Sequence, residues 1–324
     1  MINLPEKIIE IKGKKFLFRV ESSSKAEDYQ KYEELRQVVW EFAPDHLSGS
    51  RNLLCENFLH EGSSLFIGVF EEDGSGRFLY DSDHLVGFSY GFAGIKDKSL
   101  GFSQPGNIWF YSQFLGVRPD RLNFGLGILI KEFQKEVLLS VLKITTVVCT
   151  YDPLTAVNAH RNIRRLGMEV LEYRVAPYGE YGGRLNRQDV PSDRFFACWD
   201  LKKKHQPAIK ENEMAGYLDR LPRAIEVNYQ QVLGRDGPVI LEISTGLNLE
   251  IGAEQLLVPI PADFYLMLRA TQVEDSQIHQ IPLVWRLQTR KLFLHYFKKG
   301  YEIIDFLAEK GNHQAVFYLL QKKS

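Results

Sequence analysis

The 324-residue sequence predicts an α+β fold, in which helices flank a mixed, mostly antiparallel sheet. Two observations lead to this class. Segments rich in β-branched and aromatic residues recur along the chain between clusters of turn residues, and segments with apolar residues at helical spacing lie among them. Over residues 16–201 the predicted order is strand, two helices, three strands, helix, strand, helix and two strands.

The individual elements follow from residue spacing and composition. Residues 24–43 repeat apolar side chains every three or four positions, as an amphipathic helix does. Residues 144–151 form a continuous β-branched segment that is typical of a buried strand. The predicted strands cover 14–20, 64–72, 84–95, 107–117, 144–151, 168–175 and 194–201, and the predicted helices cover 24–43, 51–62, 126–141 and 153–167.

The composition becomes polar and charged over residues 202–216, and we place a domain boundary there. The predicted domains are 1–204 and 205–324. The second is also expected to be α+β, and it is expected to pack on the first because its apolar segments would not face water alone. Its predicted strands cover 238–245, 256–261, 301–309 and 315–322, with a helical pattern that breaks at Pro282.

The end of the second domain has the same outline as the end of the first. "RRLGMEVLEYRV" leading to "RFFACWDLKKK" and "KKGYEIIDFLAE" leading to "AVFYLLQKK" both give a basic helix end, a glycine, a strand, a loop and a final strand. Helix–glycine–hairpin units are common in proteins. The alternatives are therefore a chance similarity and a degenerate half-copy of the first domain.

The bulk composition excludes several classes of partner. There are 40 Lys and Arg against 41 Asp and Glu, so no strong net charge points to nucleic acid. No apolar segment at the start resembles a signal peptide, and the longest apolar stretch contains Lys143 and is too short to cross a membrane. We therefore expect no nucleic-acid partner and no membrane association, and the sequence does not predict an oligomeric state.

Cysteine and histidine usage argues against disulfides and metal. Cys55, Cys149 and Cys198 are far apart and form no CxxC pair, which favours reduced thiols in a cytoplasmic protein. None of the eight histidines is paired at the spacing of metal ligands, so we expect no metal site.

A glycine-bearing segment follows the third strand of the meander. Residues 116–130 read "GVRPDRLNFGLGILI", and Gly125 and Gly127 open the helix predicted from Leu126. The segment lacks the GxxxxGK[ST] pattern of P-loops and the third glycine of the dinucleotide fingerprint. Helix starts offer backbone N–H donors, and glycine lets a phosphate approach them. The alternative is a close-packed turn between strand and helix.

The segment resembles motif A of the GNAT superfamily of acyl-CoA N-acyltransferases. Val117, Pro119, Gly125 and Gly127 match that motif, whereas Leu122 and Asn123 replace its usual Arg or Gln and its first glycine. The resemblance implies that two strands splay apart to admit the pantetheine arm and that pyrophosphate binds the helix start. Arg121 supplies charge in this reading. The residues implied for the cofactor are Leu115, Gly116, Val117, Arg121, Asn123, Phe124, Gly125, Leu126, Gly127, Ile128, Asn158 and Asn162.

Three further segments resemble one branch of that superfamily, usually described only as predicted acetyltransferases. They are "TYDPLTAVNAHRNIRRLG", the "PSDR" from Pro191 to Arg194 and the "IPADF" from Ile260 to Phe264. The resemblance implies a GNAT fold over the first domain, acetyl-CoA or another acyl-CoA as co-substrate, and a small-molecule amine or amino acid as acceptor. The alternatives are an acyl-CoA-binding module without catalysis and a purely structural protein.

The usual catalytic groups of the family are replaced. Gln113 stands near the position of the Glu that serves as base in many members, and Ile163 stands at the position of the Tyr that serves as acid. Asp152 is the substitute candidate for a base, with a pKa raised by burial; alternatively it caps the following helix. Tyr111 and Tyr151 either donate to the leaving sulfur or pack in the core.

Polar residues on the helix after the fifth predicted strand of the first domain have two interpretations each. Asn158 and Asn162 either bond the pantetheine arm or form a solvated face. Arg161, Arg164 and Arg165 either meet adenosine phosphates or provide the basic bias of a helix C-terminus.

Overall fold

A computed structural model describes residues 5–23, 25–41, 63–179, 182–309 and 315–323. The helix predicted over 51–62, together with Cys55, lies outside the described residues. The described chain divides into two compact units: the first comprises residues up to 149 together with 200–203, and the second comprises 150–199 and 204–323.

The first unit is built on six strands in the order β1-β2-β3-β4-β5-β6. These are β1 (Glu6–Ile11), β2 (Lys14–Val20), β3 (Ser64–Glu71), β4 (Leu85–Ile95), β5 (Ile108–Val117) and β6 (Thr146–Tyr151), of which residues 146–149 lie in this unit. Neighbours from β1 to β5 are antiparallel, whereas β5 and β6 are parallel. The sheet is therefore mixed and mostly antiparallel, as predicted.

Two helices supply the remainder of this unit's core. Helix α1 (Gln30–Trp40) follows a short 3₁₀ turn and buries Tyr32 and Leu35 against Phe66 and Phe88 of the sheet. Helix α2 (Leu126–Val137) buries its apolar residues and continues as a π-helical turn over residues 138–142. Its buried apolar side chains are Leu126, Ile130, Phe133 and Val137. The 3.6-residue period of the sequence predicted both helices.

A β-bulge interrupts the pairing of β4 with β5. Gly91 pairs with Ser112 and Tyr90 pairs with Phe114, so Gln113 is the extra residue on β5. A bulge bends its strand and increases the local twist. On its other edge, β5 pairs with β6 only at residues 110 and 111. The two parallel strands thus diverge from Ser112 onward, directly at the bulge.

The second unit contains a hairpin, a two-stranded sheet and a three-stranded sheet. Its strands are β7 (Glu169–Arg174), β8 (Arg194–Asp200), β9 (Ile225–Gly234), β10 (Gly237–Leu247), β11 (Gln255–Ile260), β12 (Tyr301–Ala308) and β13 (Val316–Lys322). Its helices are α3 (Ala156–Ala159), α4 (Met214–Arg220), α5 (Phe264–Ala270), α6 (Ser276–His279) and α7 (Ile281–Lys298), and a π-helical segment over 160–165 continues α3. Pro282 lies in the first turn of α7, where its missing N–H costs no hydrogen bond.

The C-terminal region packs against residues that the sequence assigned to the first domain. Tyr318 of β13 donates a 2.8 Å hydrogen bond to the carbonyl of Pro153, and Arg164 contacts Asp305 of β12 at 2.8 Å. Because these contacts are buried, residues 150–199 and 204–323 share one core. The division of the structure therefore falls near residue 150, and it differs from the predicted boundary near residue 204.

The two terminal hairpins of this unit match position by position. Gly167 before β7 and Gly300 before β12 both have a positive φ, of 67° and 83°. Each first strand has a register shift at the fourth residue after its glycine, at 171 and 304. The paired residues of β7 and β8 correspond to those of β12 and β13 at constant offsets of 133 and 123 positions. This agreement favours the half-copy over a chance similarity.

We expect Gly91 to be required for the bulge. A Cβ at this position would collide with the ring of Phe110 and the backbone oxygen of Tyr111. Gly91→Ala should destabilise the protein by about 1–3 kcal/mol, as overpacking of a core does, measured by urea unfolding. Gly94→Ala is the matched control, because its Cβ would make only ordinary contact, 3.5 Å from Trp109. Equal stability of the two variants would contradict this account.

Candidate functional site

The start of helix α2 presents bare backbone to solvent. Gly125 is its N-cap, with φ of 68° and ψ of 18°, the left-handed conformation that glycine adopts most easily. An added Cβ there would meet no atom of the described chain within 4 Å. The left-handed conformation is therefore the reason for a glycine here as far as the described residues show, and the space beside it is open to a ligand. The sequence placed this helix start correctly.

The first N–H groups of α2 are suited to an anion. No side chain caps the helix, and the N–H of Ile128 makes a long 3.3 Å bond to the carbonyl of Gly125. The first N–H groups of any helix lack intrahelical acceptors and carry the positive end of the helix dipole. Leu126 is fully buried and anchors this turn, whereas Gly127 and Ile128 are half-buried.

The residues before Gly125 are held by the neighbouring hairpin of β1 and β2. The ring of Phe124 packs edge-on against Phe16 at 5.4 Å, and Lys12 donates a 2.8 Å hydrogen bond to the carbonyl of Asn123. Lys12 also lies 5.5 Å from the centre of the Phe124 ring. Asn123 and Phe124 were predicted from the sequence as ligand contacts. In the structure, each of them also contacts a residue of the β1–β2 hairpin.

Arg121 is bound to carboxylates of the protein. It donates to Glu71 at 2.5 Å and to Asp120 at 2.7 Å. Burial alone would raise the pKa of Glu71, but hydrogen bonds from Arg121 and Lys14 hold it below its ordinary value. The positive charge of Arg121 is therefore balanced by Glu71 and Asp120, and its contact with a phosphate stays a prediction.

The strand leading to this turn provides Leu115, Gly116 and Val117. Leu115 is half-buried and Val117 is buried. A Cβ on Gly116 would come within 2.9 Å of Trp40 and 3.1 Å of Phe88, so close packing accounts for this glycine. An added Cβ would therefore meet close neighbours at Gly116, whereas at Gly125 it would enter open space.

The point of strand divergence is flanked by Tyr111 and Gln113. Tyr111 is half-buried, and its ring lies 5.6 Å from that of Phe92. Gln113 is the half-buried extra residue of the bulge. An amide side chain does not take up a proton at neutral pH. This position therefore offers a hydrogen-bonding group beside the gap but no general base.

A buried polar cluster on the other face of β5 was missed from the sequence. The ammonium of Lys131 on α2, only 3% exposed, donates to the hydroxyl of Ser112 at 2.6 Å and to the side-chain oxygen of Gln134 at 3.1 Å. Gln134 is fully buried, and its side-chain nitrogen has no partner among the described residues. Two polar side chains on the buried side of an amphipathic helix were the available signal.

Asp152 lies in the second unit and is engaged by arginines. Its carboxylate accepts hydrogen bonds from Arg286 of α7 at 2.9 and 2.5 Å, and Arg194 lies 3.5 Å away. Burial alone would raise the pKa of Asp152, but the charges of Arg286 and Arg194 outweigh burial and lower it from its ordinary value of 3.8. The raised pKa expected from the sequence is therefore wrong, because the sequence did not reveal the arginine partners.

The predicted capping role of Asp152 is also not what the structure shows. Its carboxylate accepts a 2.8 Å bond from the N–H of Leu154, within the turn, whereas Thr155 is the N-cap of α3. The hydroxyl of Thr155 instead donates to the main-chain carbonyl of Asp152. Asp152 thus stabilises the turn that precedes the helix.

A second buried aspartate is arranged in the same way. Asp193, from the "PSDR" segment, is fully buried and accepts two 2.8 Å bonds from Arg290. It also accepts bonds from the hydroxyl of Tyr173 at 2.7 Å and the N–H of Ala176 at 2.9 Å. Arg286 and Arg290 lie one turn apart on α7. The helix therefore connects the "YDPL" and "PSDR" segments.

Tyr151 lies in an aromatic core. It is buried, and its ring meets Phe195 edge-on at 5.7 Å. Burial and the neighbouring hydroxyl of Tyr151 raise the pKa of Tyr318 well above 10. This arrangement corresponds to the core-packing alternative for Tyr151.

The helix after β6 has a buried and an exposed side. Asn162 and Ile163 are buried, and Arg164 binds Asp305 of β12. Asn158 receives a 2.7 Å bond from Arg161 and donates to Thr155 at 2.9 Å. Arg164 therefore has a structural partner, and Asn158 lies in a local network on the helix surface.

Within residues 5–323 as described, no group of three or more His, Cys, Asp and Glu side chains has the geometry to hold a metal ion. None of the helices in the described ranges combines the length and the apolar character that crossing a membrane requires.

Comparisons with known proteins give matches among solved structures. No protein-family model and no curated protein matches the chain. A Desulfovibrio desulfuricans protein described as an acetyltransferase of the GNAT family aligns at 16% identity and a TM-score of 0.39, covering 57% of this chain and 99% of its own. The ribosomal-protein-S18-alanine N-acetyltransferase of Escherichia coli aligns at 13% identity and a TM-score of 0.39, covering 60% of this chain and 99% of its own. Arabidopsis thaliana NAA60 in complex with acetyl-CoA aligns at 13% identity and a TM-score of 0.39, covering 58% of this chain and 99% of its own.

We expect Asp152→Asn to lower stability, because it leaves the buried charge of Arg286 without its counter-ion. Breaking one side of a buried ion pair costs about 3–5 kcal/mol. A depressed carboxyl pKa contributes stability that is present above the unfolded pKa and is lost as pH falls through the folded pKa. The difference between wild type and variant should therefore shrink below pH 3.8.

Chemical unfolding at several pH values measures this difference. Asp219→Asn is the control, since Asp219 is an exposed aspartate on α4. The double variant Asp152→Asn with Arg286→Met should recover part of the loss. A stability gap that stays constant down to pH 2 would show that the ion pair is not its cause.

Proposed function

We propose that the chain is an acyl-CoA-dependent N-acyltransferase whose acceptor is a small-molecule amine or amino acid. The observation that carries the proposal is the divergence of β5 from β6 at the Gln113 bulge, on the strand that leads into the uncapped start of α2. The sequence resemblance to the GNAT superfamily supports the same function, because the family binds acyl-CoA between two such strands.

The two parts of the site suit the two parts of acyl-CoA. Backbone groups along an unpaired strand edge can bond the amides of an extended pantetheine arm, as a further strand would. The N–H groups at the start of α2 favour the pyrophosphate, because its negative charge meets backbone donors and the positive end of the helix dipole. The open space beside Gly125 allows phosphate oxygens to approach the backbone.

The chemistry of transfer requires a neutral amine and a leaving thiolate. Gln113 and Ile163 replace the usual base and acid, and the lowered pKa of Asp152 makes that carboxylate a weak base. In our proposal the acceptor therefore loses its proton to water, and Tyr111 beside the gap is the candidate donor to sulfur. The same replacements favour a second candidate function, an acyl-CoA-binding module without catalysis.

Thermal unfolding with and without CoA tests the binding step that both candidates share. CoA at a hundred times its dissociation constant should stabilise the protein by about 2.7 kcal/mol. If neither CoA nor acetyl-CoA changes the melting temperature, both candidate functions are excluded and a structural role is left.

Gly125→Asp should weaken this binding because it places a negative charge where pyrophosphate is expected. At the same ligand concentration, a tenfold loss of affinity would lower the stabilisation to about 1.4 kcal/mol. Gly125→Asn is the matched control, since both side chains tolerate the left-handed conformation and differ in charge. Gly74→Asp, at another exposed positive-φ glycine, controls for backbone strain. Equal CoA affinity of the Asp and Asn variants at position 125 would place the phosphate elsewhere.

Release of free CoA thiol from acetyl-CoA separates the enzyme from the binding module. A panel of amines and amino acids at pH 7 to 9 should reveal turnover that rises with pH, because the acceptor must deprotonate without a strong base. Asp152→Asn should keep the turnover per folded molecule. A large loss in that variant at neutral pH would restore Asp152 as the base, and CoA binding without turnover would favour the module.

A further inference from the structure

We infer that Lys131 and Ser112 form a binding site for the pantetheine arm, in which Ser112 donates to an amide carbonyl of the arm and Lys131 orients the hydroxyl. This inference rests on the proposed function and assigns residues that the sequence resemblance did not imply. Its basis is the position of a buried, charged cluster at the point where the two strands separate.

The geometry places Ser112 at the beginning of the gap. Residues 110 and 111 are the last on β5 that pair with β6, so Ser112 is the first residue beyond the pairing. Its side chain is 5% exposed and lies on the face of β5 that meets α2, where Lys131 reaches it. Pairing is absent from Ser112 toward Val117, so Ser112 lies at the closed end of the gap, and a ligand inserted from the open end would reach this residue last.

The hydrogen bond from Lys131 leaves the Ser112 hydroxyl with the role of a donor. The ammonium of Lys131 has only donors, so the 2.6 Å contact occupies Ser112 as an acceptor. The hydroxyl proton of Ser112 has no acceptor recorded among the described residues, and the nearby ammonium strengthens it as a donor. An amide carbonyl is the acceptor that an inserted pantetheine arm offers repeatedly.

The rest of the cluster supports a polar ligand. Lys131 and Gln134 lie on α2 among buried apolar residues, where a charge is costly unless polar groups solvate it. The side-chain nitrogen of Gln134 has no hydrogen-bond partner in the described chain, although the residue is fully buried. A carbonyl oxygen at the gap would place a negative dipole near the ammonium of Lys131.

Binding of two probes to the full-length protein tests the inference. CoA contains the pantetheine arm, whereas adenosine 3′,5′-bisphosphate contains only the nucleotide part. Ser112→Ala and Lys131→Met should each weaken CoA binding about tenfold, as expected for loss of a charge-assisted hydrogen bond, and should leave the affinity for the bisphosphate unchanged. Ser89→Ala is the control, since Ser89 is equally buried but lies on β4, which is paired on both edges.

The outcomes separate this inference from the proposed function. If wild type binds CoA and the two variants lose affinity for both probes equally, or for neither, the arm does not contact this cluster and the proposed function stands. If wild type binds CoA no more tightly than the bisphosphate, the arm is not held in the gap and both proposals are overturned. Should Lys131→Met fail to fold, Ser112→Ala with its control decides, because it removes only one hydroxyl.

Discussion

The candidate site depends on one local constraint, the extra residue that β5 carries at Gln113. Because β4 pairs with β5 on both sides of that residue, the bulge bends β5 without ending the antiparallel sheet. The bend acts on the parallel side, where pairing with β6 stops after two residues. Gly91 makes this possible, since any side chain there would displace Phe110 and Tyr111. The bulge on the edge of β5 that pairs with β4 thus lies where pairing ends on the opposite edge, beside β6.

The second unit depends on a different interaction, two buried ion pairs on one helix. Arg286 and Arg290 of α7 fix Asp152 and Asp193, which belong to segments more than ninety residues away in sequence. Such pairs contribute little net stability compared with apolar packing, but breaking one is costly. Their effect is to specify which turn each arginine meets. This explains why the "YDPL" and "PSDR" segments have buried aspartates without requiring a catalytic role for either.

Local information in the sequence predicted most elements, and long-range pairing accounts for the rest. The helix start at Gly125 and the strands of the meander were predicted because spacing and turn residues are local signals. Strand β1 was missed because its residues show no alternation and it forms by pairing with β2. Strand β9 was missed although its residues from Ile225 to Gln230 alternate between apolar and polar side chains. The pKa predicted for Asp152 was wrong because its main partner lies 134 positions away. The cluster of Lys131, Ser112 and Gln134 lies beside the bulge, which no local pattern in the sequence indicates.

The matching hairpins allow position 163 to be compared with position 296. Ile163 lies four residues before Gly167, and Tyr296 lies four residues before Gly300. Both are buried, so this position faces a core in each copy. The hydroxyl of Tyr296 donates to the carbonyl of Asn248 at 3.2 Å, and burial raises the pKa of Tyr296. A tyrosine is tolerated at this core position when a backbone carbonyl satisfies its hydroxyl, and isoleucine fills the position without that need. The identity of the residue here therefore follows from packing, and Ile163 alone is not evidence that catalysis has been lost.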